Sequence, residues 1–212
     1  MPEIKAIAFV ALASLLVLAG CKFVKTADEQ KQAAATAFDP DKRVTEIWDS
    51  KVVPYLDKKA GNFPDVMAEI AKDPDVAGAK YGHKEKVGNA PWAYVARVDG
   101  MVVAAETKSR AAYVDVDVNA DKKADVRIFI GPAIRGTALR DTLDFVDFNE
   151  FKNQIEWAQF GKAFNLHVNR TVLEKLPRAN LVGKKVTALG AFPLPSGSDL
   201  PQFVPATMTI GG

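Results

Sequence analysis

The spacing of apolar residues changes character near residue 90. Upstream, Val44, Ile47, Trp48 and Val52 recur at helical spacing, with Asp39 or Asp41 placed to cap that helix and Pro54 placed to limit it. Phe63, Val66, Met67 and Ile70 form a second short stripe behind Asn62 and Pro64, and Asp73-Pro74 opens a third helix that Gly82 closes. Downstream, "WAYVARV", "MVVAAET" and "AAYVDVDV" alternate with period two and are rich in Val, Tyr and Trp, which predicts strands. Asp99-Gly100 between the first two runs predicts a hairpin turn. Val126 to about Leu139 is expected to continue as strand. Helical spacing returns from Phe148 to Leu176, enough for one or two helices. "KVTALGAF" and "FVPATMTI" then read as two further strands on either side of the loop "PLPSGSDLP" at 193–201. Helices before and between antiparallel strands predict an α+β domain, with a helical part over 38–90 and a β-rich part over 91–212.

One apolar run fits neither period. Ala6 to Leu18 is too short to span a bilayer as a helix but has the length of a secretory h-region. It ends in Leu18-Ala19-Gly20-Cys21, and small residues directly before a cysteine resemble the lipobox of bacterial lipoproteins. Residues 1–20 therefore read as a lipoprotein signal peptide and Cys21 as the acylated residue, carrying palmitate-type chains. Cys21 is the single cysteine of the chain, so no internal disulfide competes for it. Each buried methylene adds about 0.8 kcal/mol to membrane attachment, so a multiply acylated Cys21 anchors the chain lastingly. The alanine-rich polar stretch 22–37 is a tether with little to bury, and 38–212 is the single globular domain.

The export signal narrows the chemistry. A lipid-anchored protein in the periplasm meets no ATP or NAD pool and no chromosome, so nucleic acid is not expected as a partner. Lys22 after the cysteine favours the inner leaflet of the outer membrane in enteric-type bacteria, with the cytoplasmic membrane as the alternative. A net charge of +2, 48% hydrophobic and 25% charged residues are ordinary globular values and indicate neither a polyacidic nor a polybasic partner.

Several motifs bear on the chemistry that remains. "VRIFIGPAIRGTALRD" (126–141) has Gly131 and Gly136 at the spacing of a phosphate loop. Thr137, however, stands where that loop needs lysine, and Pro132 removes a backbone donor. Asp115, Asp117, Asn119 and Asp121 mimic the first half of a calcium loop, but Ala120 and Val126 occupy the positions of its glycine and glutamate. The expected arrangement is Val114, Val116 and Val118 inward and the acids in water. His83 and His167 lack metal-ligand spacing, and there is no nucleophile elbow, so neither metal, cofactor nor catalytic residue is assigned. Trp48, Trp92 and Trp157 lie in apolar patterns and are expected in the core, with sugar stacking as the alternative. The most informative polar set is Arg135, Arg140 and Asp141, followed by Asn153, Gln154 and Asn165. Arg140-Asp141 reads most simply as an ion pair; alternatively the set converges on a hydroxylated or carboxylated ligand, or on a partner protein.

The lipobox, "IWDSKVVP", "DPDVAGAKYG", "IGPAIRGTALRD", "FNEFKNQIEWA" and "LVGKKVTALGAF" together resemble a bacterial family of predicted periplasmic lipoproteins. The resemblance runs from Cys21 almost to the C-terminus and is most specific over 130–158. No catalytic residues carry over from it. Its members are often encoded beside sugar-type ABC importers, which implies an accessory role in solute uptake through contacts with a permease or substrate-binding protein. The second half is also similar to the small antiparallel barrel of oligonucleotide- and oligosaccharide-binding folds, with a helix inserted between later strands. The leading expectation is thus a non-enzymatic uptake accessory; the alternative is a direct binder of a sugar or sugar acid.

Overall fold

The computed structural model describes residues 38–85, 90–197 and 199–211. The expected signal peptide, Cys21 and the tether lie outside the described residues. The folded part is the compact unit Asp39–Gly212. Helix α1 (Pro40–Ile47) begins as its sequence dictates: Asp39 accepts a hydrogen bond from the Lys42 backbone N–H at 3.0 Å, and Pro40 fills the first turn, where no donor is needed. Pro54 does not stop the chain's helical course as expected. A single π-turn, Trp48–Val52, precedes helix α2 (Val53–Lys59), so Pro54 falls in a new first turn and costs no interior hydrogen bond. A two-residue strand β1 (Gly61–Asn62) leads into α3 (Phe63–Lys72), which buries Phe63, Val66 and Ile70 as its stripe predicts. Asp73 then caps α4 (Pro74–Tyr81) by accepting from the N–H groups of Asp75 and Val76, and strand β2 (Gly82–His83) follows.

The β-rich part contains β3 (Ala93–Glu106), β4 (Tyr113–Asp117) and β5 (Val126–Phe129). After a short helix α5 (Ala138–Asp141) and the long helix α6 (Gln154–Thr171) come β6 (Lys185–Pro193) and β7 (Gln202–Ile210). Five strands close on themselves in the order β3-β4-β5-β7-β6, with β6 returning to pair with β3. Four of the pairings are antiparallel and β5 with β7 is parallel, which corrects the expectation of a purely antiparallel sheet. A five-stranded barrel with a helix between its third and fourth strands is the oligonucleotide/oligosaccharide-binding (OB) topology.

Three local expectations are also corrected. Asp99-Gly100 is not a hairpin but the midpoint of β3, which pairs with β6 over 93–101 and with β4 over 101–106. A Cβ on Gly100 would sit 2.3 Å from the Asp117 carbonyl oxygen, so the glycine lets the strands cross closely rather than turn. Strand β5 stops at Phe129 instead of running to Leu139. Pro132 cannot extend a ladder and Gly136 takes a left-handed φ of 74°, so the chain loops over and buries Leu139 in α5. Finally, Val114 and Val116 are buried as predicted, but Asp115 and Asp117 are buried too. The Asp115 carboxylate takes both arms of Arg127 at 2.7 and 2.9 Å. Asp117 accepts from the backbone N–H groups of Asn119, Ala120 and Lys122. Among the described residues no cluster of acids, histidines and cysteines has metal-ligating geometry.

Aromatic side chains fill the interior. Phe63, Tyr94, Phe192 and Phe203 stack through the barrel at centroid separations of 5.5 to 6.2 Å. Each such ring contributes about 1.5–3 kcal/mol of burial. Burial also pushes the Tyr94 hydroxyl up to about 12, while it donates to the Pro74 carbonyl. Trp48, Phe160 and Phe164 lock α1 against α6. Among the described residues no helix is long and apolar enough to cross a membrane.

Candidate functional site

A cavity of about 630 Å³ opens at the end of the barrel where β3 begins, β6 ends and β7 begins, as the pairing of Ala93 with Pro193 requires. Its volume is that of a small-molecule site. The loop between β5 and α5 and the first turn of α6 complete the wall.

The centre of that wall is Arg140, delivered by α5 and almost fully buried. Its Nε donates to Asp141 Oδ1 at 2.8 Å, and its Nη2 donates to the same oxygen and to Thr137 Oγ1. Nη1 donates to the Trp157 carbonyl at 2.9 Å, and the guanidinium lies 3.9 Å from the centre of the Trp157 ring. The other oxygen of Asp141 accepts from the Thr137 hydroxyl at 2.6 Å. Arg140, Asp141 and Thr137 thus satisfy one another and form a rigid floor. Gly161 of α6 makes this packing possible, because a Cβ there would meet Thr137 Cγ2 at 2.5 Å and Arg140 Nη1 at 2.8 Å. Behind the floor, His83 Nδ1 donates to the Asp141 carbonyl at 3.1 Å.

Trp92 forms another part of the wall. Its ring packs on Gly78 of α4, and its Nε1–H donates to Asp75, which also receives Lys84 at 3.2 Å. The hydrogen bond from Trp92, then that from Lys84, holds the Asp75 carboxyl below its usual range. With its donor committed, Trp92 offers the cavity a ring and no polar group. Phe148, edge-on to Trp157, extends the apolar part.

Of the residues singled out in the sequence, Arg135, Arg140, Asp141 and Gln154 line the cavity together. Asn153 and Asn165 do not. Asn153 caps α6 by accepting from the N–H groups of Ile155 and Glu156. Asn165 Nδ2 donates to the Gly136 carbonyl at 2.8 Å and pins the site loop to α6. Against the expectation of three core tryptophans, Trp92 and Trp157 stand half-exposed in the cavity wall, and only Trp48 is buried. Glu85 and Gln202 join the lining without any signal in the sequence pattern. Trp157 lies three and seven residues before Phe160 and Phe164, so periodicity places it on the buried stripe. The signal against this is its position in the first turn of α6, where the stripe runs past the edge of the core.

The closed barrel with a polar-aromatic cavity at its end makes this a protein of the OB class. A solved structure of an OB-fold protein from Thermotoga maritima agrees, with a TM-score of 0.58 at 20% identity, covering 82% of this chain and 99% of that one. Residues 11–209 match the family model "Predicted periplasmic lipoprotein (DUF2291)", and the chain belongs to that family. Its place is accordingly the periplasm, held to a membrane as a lipoprotein. A comparison with curated proteins gave no match.

Proposed function

We propose that the domain is a membrane-tethered periplasmic receptor that binds a small polar ligand with an apolar ring face, of the kind sugars and sugar acids present. The observation that carries this reading is the end cavity, in which two tryptophans and a phenylalanine stand beside arginine, carboxylate and amide side chains. Aromatic faces bind the C–H surface of a ring, and planar polar groups fix its hydroxyls. Binding without turnover is the part of the reading supported by Asp141, since both of its oxygens already accept hydrogen bonds from Arg140 and Thr137. Thermal-shift titration of the full chain in lipid nanodiscs with sugars, polyols and sugar acids tests it. At least one compound raises the melting temperature, and Trp157→Ala removes that shift; a wild-type protein stabilised by none of them refutes the reading.

An accessory role in ABC-type solute uptake is compatible with this. Ile155, beside the cavity residue Gln154, is 67% exposed and offers an apolar contact for a permease or substrate-binding protein. Mild crosslinking in cells followed by identification of the captured partner checks it. Recovery of a transport component supports the role, and clean failure counts against it.

A further inference from the structure

The cavity has two unlike sides. On the barrel side its wall is Ala90, Pro91, Trp92 and Ala93, where β3 begins, and Pro193, where β6 ends. Polar groups on this side are largely spent. Trp92 donates its Nε1–H to Asp75, and its carbonyl accepts from the Leu194 N–H at 3.0 Å. Lys84, whose ammonium lies 4.7 Å from the centre of the Trp92 ring, is paired with the same Asp75. Glu85, at the border of this wall, is engaged in an interaction of its own. Pro91 and Pro193 carry no N–H, and Gln202 brings an amide to their edge.

On the side of the loop and α6 the wall is Arg135, Thr137, Arg140, Asp141, Gln154 and Trp157. Thr137, Arg140 and Asp141 satisfy one another, which leaves the Gln154 amide and the Trp157 ring to receive a hydroxylated ring. An amide both donates and accepts, as hydroxyl groups do. The volume of about 630 Å³ lies within the range of about 300–1,000 Å³ typical of sites for drug-sized ligands, so a single sugar ring fills only part of it. A second sugar ring on the barrel side would bury hydroxyl groups against prolines, alanines and an indole whose donor is spent, leaving hydrogen bonds unmade. A flat apolar group there loses none and buries its surface on Trp92 and the two prolines. From this division we infer that the cavity takes a ligand of two unlike parts, a hydroxylated ring beside Gln154 and Trp157 and a flat apolar substituent against Trp92, as in an aryl glycoside. The inference rests on the ligand-binding reading and deepens it.

Calorimetric titration of the full chain in nanodiscs, with empty nanodiscs as the blank, decides it. The compounds are glucose, galactose and xylose, their methyl and phenyl glycosides, and the disaccharides cellobiose and lactose. At least one phenyl glycoside binds about tenfold more tightly than its methyl counterpart, because an aromatic face buries far more apolar surface than a methyl group. The disaccharides gain no such advantage. Trp92→Ala brings phenyl binding down to the methyl level and leaves methyl binding unchanged, which also shows that the variant is folded; Trp157→Ala weakens both. Phenyl glycosides no tighter than methyl ones, disaccharides that gain as much, or a Trp92→Ala variant that keeps the phenyl advantage overturn this inference while the ligand site stands. Free sugars that bind while every glycoside fails do the same. Absence of binding by every compound overturns both.

Discussion

Two arginine–aspartate–aromatic clusters occupy this domain, arranged in opposite senses. On the outer face of β4 and β5, Asp115 is the buried partner, with its side chain 10% exposed, and Arg127 covers it at 35% exposure. The Arg127 guanidinium also lies 3.7 Å from the centre of the Tyr113 ring. In the end cavity the order is reversed: Arg140 is 9% exposed and Asp141 is 35% exposed. Many OB barrels bind their ligands on the face of the second and third barrel strands. Here that face is β4 and β5, and the bidentate pair lying over Tyr113 covers its ring and uses both oxygens of Asp115. In the cavity the arginine is locked inward over one face of the Trp157 ring, and Trp92, Phe148 and Gln154 line the open volume beside it. The same three residue types close one surface and build the other, and which partner is buried decides between the two outcomes.

The two arginines carry the largest expected difference. Arg140→Met removes a buried cation from a partly buried carboxylate and from the Thr137 hydroxyl, and is expected to cost about 3 kcal/mol in denaturant unfolding. It also loosens the cavity wall and weakens any ligand that stabilises the wild type. Arg127→Met takes the bidentate partner from the buried Asp115 carboxylate and is expected to cost about 1–3 kcal/mol, with ligand binding unchanged. Equal weakening of ligand binding by the two variants would show that the two clusters do not differ in role.

Gly161→Ala probes the cavity cluster at smaller scale. Alanine favours a helix interior by about 1 kcal/mol, but its Cβ collides with Thr137 and Arg140. Overpacking of that kind costs about 1–3 kcal/mol, so a net loss of about 1 kcal/mol is expected, together with weaker ligand binding. A more stable protein with unchanged binding would mean that α6 does not hold the floor of the site.

Much of this architecture is legible in the chain. Capping residues and Pro positions mark α1, α3 and α4, because these signals are local. The apolar runs of β6 and β7 are equally plain, since both faces of each are buried through its middle. What local pattern does not show is pairing. Asp99-Gly100 has the composition of a turn, yet β3 passes through it because two different strands claim its two halves. The Arg135–Asp141 segment is recognisable as the place where polar chemistry gathers, whereas the pattern around Trp92 and Trp157 assigns them to the core. Periodicity reports which face of an element is apolar, and the rim of a cavity is apolar on the same face as the core beside it. Asn153 stands out for a polarity that is spent on a helix cap, and Asn165 for an amide whose Nδ2 reaches the Gly136 carbonyl while its Oδ1 is buried without a hydrogen-bond partner among the described residues.

The parallel pairing of β5 with β7 sets the order of events when the chain first folds. Arg127 lies against Gln202 and Ile128 against Phe203, so the cylinder stays open until residues beyond 200 are available. Contacts of such long sequence separation form slowly. A chain threading through a translocation channel from its N-terminus therefore cannot close its barrel prematurely. The pairings of β7, which complete the sheet, are thus the last ones the emerging polypeptide can make.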